Sequence, residues 1–322
     1  MRTTEIDEQT ARAALASTPG VNLRLFNRLM RRFGSAAEVL RAASADLLYT
    51  DGVSNILAPR IAGRLRSARA ISARAAYLQS TGFQLITGAD HAYPDALRDL
   101  SDAPAMLAAR GRLHFPDRSV AVVGQRNPSK RGREAARFAA ETARNLGWCV
   151  VSGLALGVDT EAHRTALRIG ANASPEPATI AVLPSEPISI YPPRRRLLAE
   201  KIAEKGLLVS EHLWGELQRW MFVQRNRIIS GLCRGALIIE AGERDGALHT
   251  ARFAAKQGRS VAVWDWSSAP NRSLGTAALE RSGISAYHKK TLHRWFSRLE
   301  QGGPYSEMAL FEKTLAFDIQ LR

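Results

Sequence analysis

The chain has 322 residues, 45% hydrophobic and 23% charged, the balance of an ordinary globular protein of roughly two domains. Lys and Arg number 45 against 30 Asp and Glu, a formal net charge of +15, which predicts attraction to polyanions and to nucleic acid first. No run approaches ~18 uninterrupted apolar residues, the opening MRTTEIDEQT lacks the apolar stretch of a secretory signal, and Cys149 and Cys233 are too few for a disulfide scaffold, so a cytoplasmic protein without a membrane span is expected.

The basic excess is unevenly spread. Residues 1–79 hold 12 basic and 6 acidic residues, residues 80–290 hold 29 and 20, and residues 291–322 hold 4 of each. Arg outnumbers Lys 38 to 7, which either suits bidentate phosphate contacts or reflects a GC-rich coding sequence.

Residues 1–79 read as a small all-helical domain. Leu23, Phe26, Leu29, Met30 and Phe33 recur at helical spacing, and Gly34-Ser35 stops that helix. Pro19-Gly20-Val21 and Asp51-Gly52-Val53-Ser54 each precede an amphipathic helix. Helix-hairpin-helix modules use such turns to aim backbone N–H groups at DNA phosphates, and a structural or dimerising bundle fits the same pattern. Residues 80–118, with Tyr93-Pro94 and Ala103-Pro104, read as a connecting segment with little regular structure.

From residue 119 short apolar runs alternate with helices. Strands are predicted over 119–123, 148–152, 179–183, 207–210, 236–240 and 260–264. Helices are predicted over about 131–146, from about 159, over about 194–204 and over about 246–257. Residues 171–178 read as a Pro-rich surface loop. Apolar strands alternating with helices specify an α/β domain over 119–290 with a doubly wound parallel sheet, and residues 291–322 read as a short tail.

Ligands of such sheets bind beyond the carboxyl ends of the strands, so the residues just after each strand carry the functional reading. After the first stand Gly124-Gln125-Arg126, where glycine admits a phosphate, the following helix offers N–H donors and Arg126 supplies a fork. This is neither a dinucleotide fingerprint nor a P-loop, so no nucleotide cofactor is expected. After the second stand Ser152-Gly153, with Asp159 and His163 one helical turn apart: a hydrogen-bonded pair, or a helix cap and an orienting ring. No His/Cys spacing offers a metal site.

The block from Arg219 to Arg227 holds Trp220, Phe222, three arginines and Asn226, as a single-strand binding surface needs: bases stack on a ring while arginines hold phosphates. The opposing reading places the aromatics in the core and the arginines in solvent. After the fourth strand, Glu240 and Glu243 with Gly242 and Gly246 suit a loop cap, a ribose contact or a catalytic carboxylate.

Five ordered blocks, Gly124-Gln125-Arg126, SGLALGVDTEAH (152–163), IYPPRRRLLAEKI (190–202), FVQRNRIISGL (222–232) and AGERDGALHTARFAAKQGR (241–259), together resemble the DNA-processing protein A (DprA/Smf) family over about residues 15–288. The resemblance implies a SAM-like helical domain before an extended Rossmann-like domain. It also implies a non-enzymatic homodimer that binds single-stranded DNA in natural transformation and loads a RecA-type recombinase. Carried over by position, Arg126 would contact phosphate, with backbone from Ser152 and Gly153 in the same pocket. Arg219 would contact DNA, Phe222 would stack on a base, and Arg225 and Asn226 would shape that surface. Gln125, Val223 and Ala277 depart from the family pattern, which fits a specialised paralogue, for example in phage defence. Many members carry a C-terminal winged helix, which residues 291–322 are too short and neutral to form. The competing reading is a small-nucleotide sensor or hydrolase using Ser152-Gly153, Glu240 and Gly242–Gly246.

Overall fold

The computed structural model describes residues 6–169, 176–268 and 273–302. Most of the loop expected at 171–178, and residues 303–322 of the expected tail, lie outside the described residues. The chain gathers into two compact units. One comprises Met1–Arg110 with Ser185–Ser189 and Val209–Glu216; the other comprises Gly111–Pro184, Ile190–Leu208 and Leu217–Arg322.

The first unit opens with helices α1 (Glu8–Ala16), α2 (Leu23–Phe33), α3 (Ala36–Arg41), α4 (Ser44–Leu47), α5 (Leu57–Gly63) and α6 (Ala68–Ser80). Helix α2 starts where the Asn22 side chain accepts the Leu25 N–H at 2.9 Å, and it stops at Gly34, whose φ of 83° ends the helical backbone. Its buried stripe is Leu23, Leu25, Phe26 and Leu29, with Met30 and Phe33 half-buried. Residues expected to connect without regular structure instead form strand β1 (Gln84–Thr87), helix α7 (Asp95–Arg98) and strand β2 (Met106–Gly111), with β1 and β2 antiparallel. The prolines misled the reading: Pro94 precedes α7, and Tyr93, fully buried, donates its hydroxyl to the Pro104 carbonyl.

In the second unit the strands are β3 (Ser119–Val123), β4 (Cys149–Ser152), β5 (Thr179–Val182), β6 (Leu207–Ser210, whose last two residues are counted with the first unit), β7 (Gly235–Ile238), β8 (Ser260–Trp264) and β9 (Ala286–Tyr287). They lie in the order β6-β5-β4-β3-β7-β8-β9, parallel from β5 to β9. The helices are α8 (Lys130–Asn145), α9 (Val158–Arg168), α10 (Arg196–Lys205), α11 (Arg219–Gly231), α12 (Gly246–Lys256), α13 (Leu274–Arg281) and α14 (Leu292–Gln301). Chain order runs outward from β3 in one direction and restarts from β7 in the other, so the direction of winding switches between these two strands. This is the expected doubly wound parallel sheet, and the predicted strands and helices stand within about two residues of their observed ends.

The core explains the packing. Ala135, Ala136, Ala139, Ala140 and Ala143 form one small-residue face of α8, which lets the helix close against Ala162 and Ala166 of α9. Aromatics fill the opposite end, where Trp148 packs on Phe296 with ring centres 5.5 Å apart, and Trp295 donates its indole N–H to Ser260 Oγ at 2.9 Å. Residues 292–301, expected in a tail, form a helix seated in the core. Among the described residues no helix is long and apolar enough to cross a membrane.

Candidate functional site

A cleft of about 340 Å³ opens beside the carboxyl ends of β3, β4 and β7, at the switch in winding direction. Its lining includes Gly124 and Arg126 after β3, Ala155 and Asp159 after β4, Phe222, Val223, Arg225 and Asn226 of α11, and Arg244 and Gly246 after β7.

The loop after β3 is held from both sides. Gln125 donates its N–H to the Glu240 carbonyl at 2.7 Å, and its own carbonyl accepts from Val158 at 3.3 Å. Gly157 (φ 78°) passes so close that a Cβ there would lie 2.4 Å from the Gln125 oxygen. Gln125 is thus fixed through its backbone and does not line the cleft. Arg126 does, exposed, with its guanidinium carbon 5.3 Å from the centre of the Phe222 ring. Tyr191 meets the same ring edge-on at 5.4 Å and is 41% exposed.

Beneath this surface lies a buried polar layer. The Arg225 guanidinium, 5% exposed, donates from Nη1 to the Gly153 carbonyl at 2.6 Å and to the Val182 carbonyl, and from Nε to Asn226 Oδ1 at 3.0 Å. Asn226 in turn donates to the Gly246 carbonyl at 3.0 Å. Burial lowers the Arg225 pKa to about 10, which still leaves it a cation at neutral pH, and the nearby Asp159 charge supports that state. Asp159 accepts the N–H groups of Gly153 at 3.1 Å and Ala155 at 3.3 Å; burial raises its pKa, and the charge of Arg225 opposes that rise.

His163 completes the layer. The Thr179 hydroxyl donates to the Val150 carbonyl at 2.5 Å, so it accepts from His163 Nδ1 at 2.8 Å. Nε2 is then free of a proton and accepts the Leu154 N–H at 3.3 Å, which braces Leu154 at a φ of 57°. Burial lowers the His163 pKa to about 3, so the ring is neutral. Asp159 and His163 do not bond each other, and Asp159 does not cap α9, whose N-cap is Gly157: it accepts N–H groups of the preceding loop, and His163 orients that same loop.

Of the nine residues singled out in the sequence, Gly124, Arg126, Phe222, Arg225 and Asn226 meet in the cleft. Gln125, Ser152, Gly153 and Arg219 do not line it. Ser152 is fully buried with its hydroxyl on the Val122 carbonyl at 2.8 Å, and both backbone groups of Gly153 are engaged by Asp159 and Arg225. The Gly153 carbonyl thus holds Arg225 in place, while the Ser152 hydroxyl ties β4 to β3. Arg219 is exposed at the first position of α11. Trp220, set against a core reading, is 54% exposed, whereas Arg225 and Arg227 are buried rather than solvated. Tyr191 was missed as a site residue; the signal was an aromatic followed by Pro-Pro-Arg-Arg-Arg after a parallel strand.

Glu240 accepts from both the N–H and the hydroxyl of Ser129, at 3.0 and 3.1 Å, and Ser129 caps α8 through the Gly132 N–H. Its carboxylate therefore acts as a loop anchor.

Residues 84–299 match the family described as DNA recombination-mediator protein A. Protein Smf of Synechocystis sp. is 33% identical over 260 residues, 79% of this chain and 64% of that protein. The crystal structure of DNA processing protein A from Streptococcus pneumoniae superposes with a TM-score of 0.72 at 28% identity, covering 88% of this chain and 95% of that one. DNA processing protein A from Helicobacter pylori, whose structure is described for its single-stranded DNA binding mode, matches with a TM-score of 0.57 at 27% identity over 68% of this chain and 97% of that one. The chain spans between 51% and 64% of the length of the curated relatives it matches.

Proposed function

Because the chain belongs to the DNA recombination-mediator protein A family, we propose that its cleft binds single-stranded DNA without hydrolysing it. The observation that carries this reading is the exposed Arg126 set over Phe222, with no ion-pair partner for Arg126 among the described residues. A cation and adjoining aromatic rings at one cleft mouth suit a phosphate and its neighbouring base, and stacking on a ring tolerates every base. Single-strand binding by the Helicobacter pylori protein supports the same assignment. Against a hydrolase reading, Glu240 is engaged by the Ser129 N–H and hydroxyl.

The test is fluorescence anisotropy of a labelled oligonucleotide, single-stranded and duplex, across a salt series. Phe222→Ala is expected to weaken single-strand binding by about 1–3 kcal/mol, the usual worth of one base–aromatic stack. Arg126→Ala is expected to weaken it and to flatten the salt dependence by about 0.7 in log–log slope, one phosphate contact on a single strand. Equal affinity for single strand and duplex, unchanged in both variants, would remove the cleft from consideration. The family description as a recombination mediator supports handover of the bound strand to a RecA-type recombinase, and we propose that a homodimer performs it. That step is tested by adding the protein to strands coated with single-strand binding protein and following recombinase filament growth.

A further inference from the structure

Beyond the carboxyl ends of β8 and β9 lies a second cleft, of about 550 Å³, whose lining has no described residue in common with that of the Phe222 cleft. Its floor is apolar and fixed. Trp264 meets Phe138 edge-on with ring centres 6.0 Å apart, Trp266 donates its indole N–H to the Ile239 carbonyl at 2.7 Å, and both indoles are buried. Its rim is cationic. Arg131 of α8 and Lys289 and Lys290, in the turn between β9 and α14, are exposed, and among the described residues none of the three makes an ion pair. The turn holds its lysines in place: His288 donates its N–H to the Thr291 hydroxyl at 3.1 Å and accepts the Lys290 N–H at Nδ1, 3.2 Å away. The acids of the lining are engaged locally, Asp265 by the Ser267 N–H at 2.7 Å and Glu134 in the field of Arg137. Neither α8 nor α14 has an acid in its first turn, where Lys130 and Arg131 in one and Arg294 in the other stand at the helix end that favours anions.

We propose that this cleft takes an acidic peptide segment of a partner protein, with an apolar side chain seated on Trp264 and Trp266 and flanking carboxylates on Arg131, Lys289 and Lys290. A nucleic-acid strand suits it poorly. The buried indoles offer no open face for a base, unlike the exposed Tyr191 beside Phe222, and a phosphate on every nucleotide would run past Glu134 and Asp265. A peptide meets the same mixed lining by setting its acids opposite the cations alone, and the cleft has the size of a site that encloses a few side chains. This assignment does not depend on reading the Phe222 cleft as a strand site.

The experiment follows the anisotropy of a fluorescein-labelled peptide, Asp-Asp-Asp-Asp-Leu-Phe with a free carboxyl terminus, titrated with the full chain. Replacing its Leu-Phe by Gly-Gly should weaken binding by about tenfold or more, as loss of one buried apolar side chain does. Lys289→Gln/Lys290→Gln should also weaken it, by about tenfold, and Lys201→Gln/Lys205→Gln, which removes the same charge from exposed positions on α10, should leave it unchanged. No saturable binding by wild type, equal binding of the two peptides, or an equal loss in both lysine variants would overturn the proposal, the last two because net charge alone would explain them. Single-strand affinity of Lys289→Gln/Lys290→Gln should match wild type; a matching loss there would give the cleft to DNA instead. The thermal midpoint of that variant should be no lower than wild type, since both cations precede a helix N-terminus, and a lower one would make the lysines structural and the assignment wrong.

Discussion

At the scale of single residues, the cleft divides into groups that face a ligand and groups that hold them. Asp159, His163 and Gly153 belong to the second set, and the last two each make a checkable claim. The folded pKa of His163, about 3, lies below the value near 6.5 of an unfolded chain, so its neutral form is favoured by folding. Its contribution is complete above pH 6.5 and lost as pH falls toward 3, by up to about 1.4 kcal/mol per pH unit. Urea titrations from pH 7 to pH 4 should therefore show a steeper loss in wild type than in His163→Gln, and parallel curves would refute the assignment. At Gly153 a Cβ would lie 2.5 Å from the Arg225 guanidinium nitrogens. Gly153→Ala is expected to cost about 1–3 kcal/mol in chemical denaturation, as overpacking of a filled site does, and to weaken strand binding by displacing α11. The orienting role of His163 was legible in the sequence, but the part Gly153 plays in holding Arg225 was not. A buried arginine and a solvated one have the same letter, and the carbonyls of Gly153 and Val182 that receive Arg225 lie far from it along the chain.

At the scale of elements, the alternating strands and helices between residues 119 and 264 were readable because each five-residue apolar run is buried on both faces and each helix shows one apolar stripe. The failures have local causes. Strand β9 is two residues long, too short to leave a periodic signal, and β1 and β2 were hidden among prolines that cap rather than break structure. Helix α14 was hidden by position, although Leu292, Trp295, Phe296 and Leu299 repeat at helical spacing. Trp295 is 2% exposed, so Trp295→Ala is expected to lower stability by about 3–5 kcal/mol in urea unfolding; a loss below about 1 kcal/mol would mean that α14 is peripheral.

At the scale of the whole molecule, the net charge of +15 acts on encounter rather than on fit. Stopped-flow mixing with a single-stranded oligonucleotide should show an association rate that falls steeply between about 50 and 200 mM salt. Phe222→Ala should leave that rate within about twofold and act on dissociation, where most interface mutations act. A variant that altered association alone would contradict the stacking role. Helix α11 has a further consequence of its own. Its inner half, Arg225 to Gly231, is locked by the carbonyls of Gly153, Val182 and Gly246 and by burial, while its opening residues Arg219, Trp220 and Phe222 reach the surface. Foldability and recognition are thus written on successive turns of one helix. Natural variation can rewrite the outer turn, and with it the taste for length, base or strand, at little cost to folding, so diversity among descendants of this chain should collect at positions 219, 220 and 223 and stop abruptly at 225.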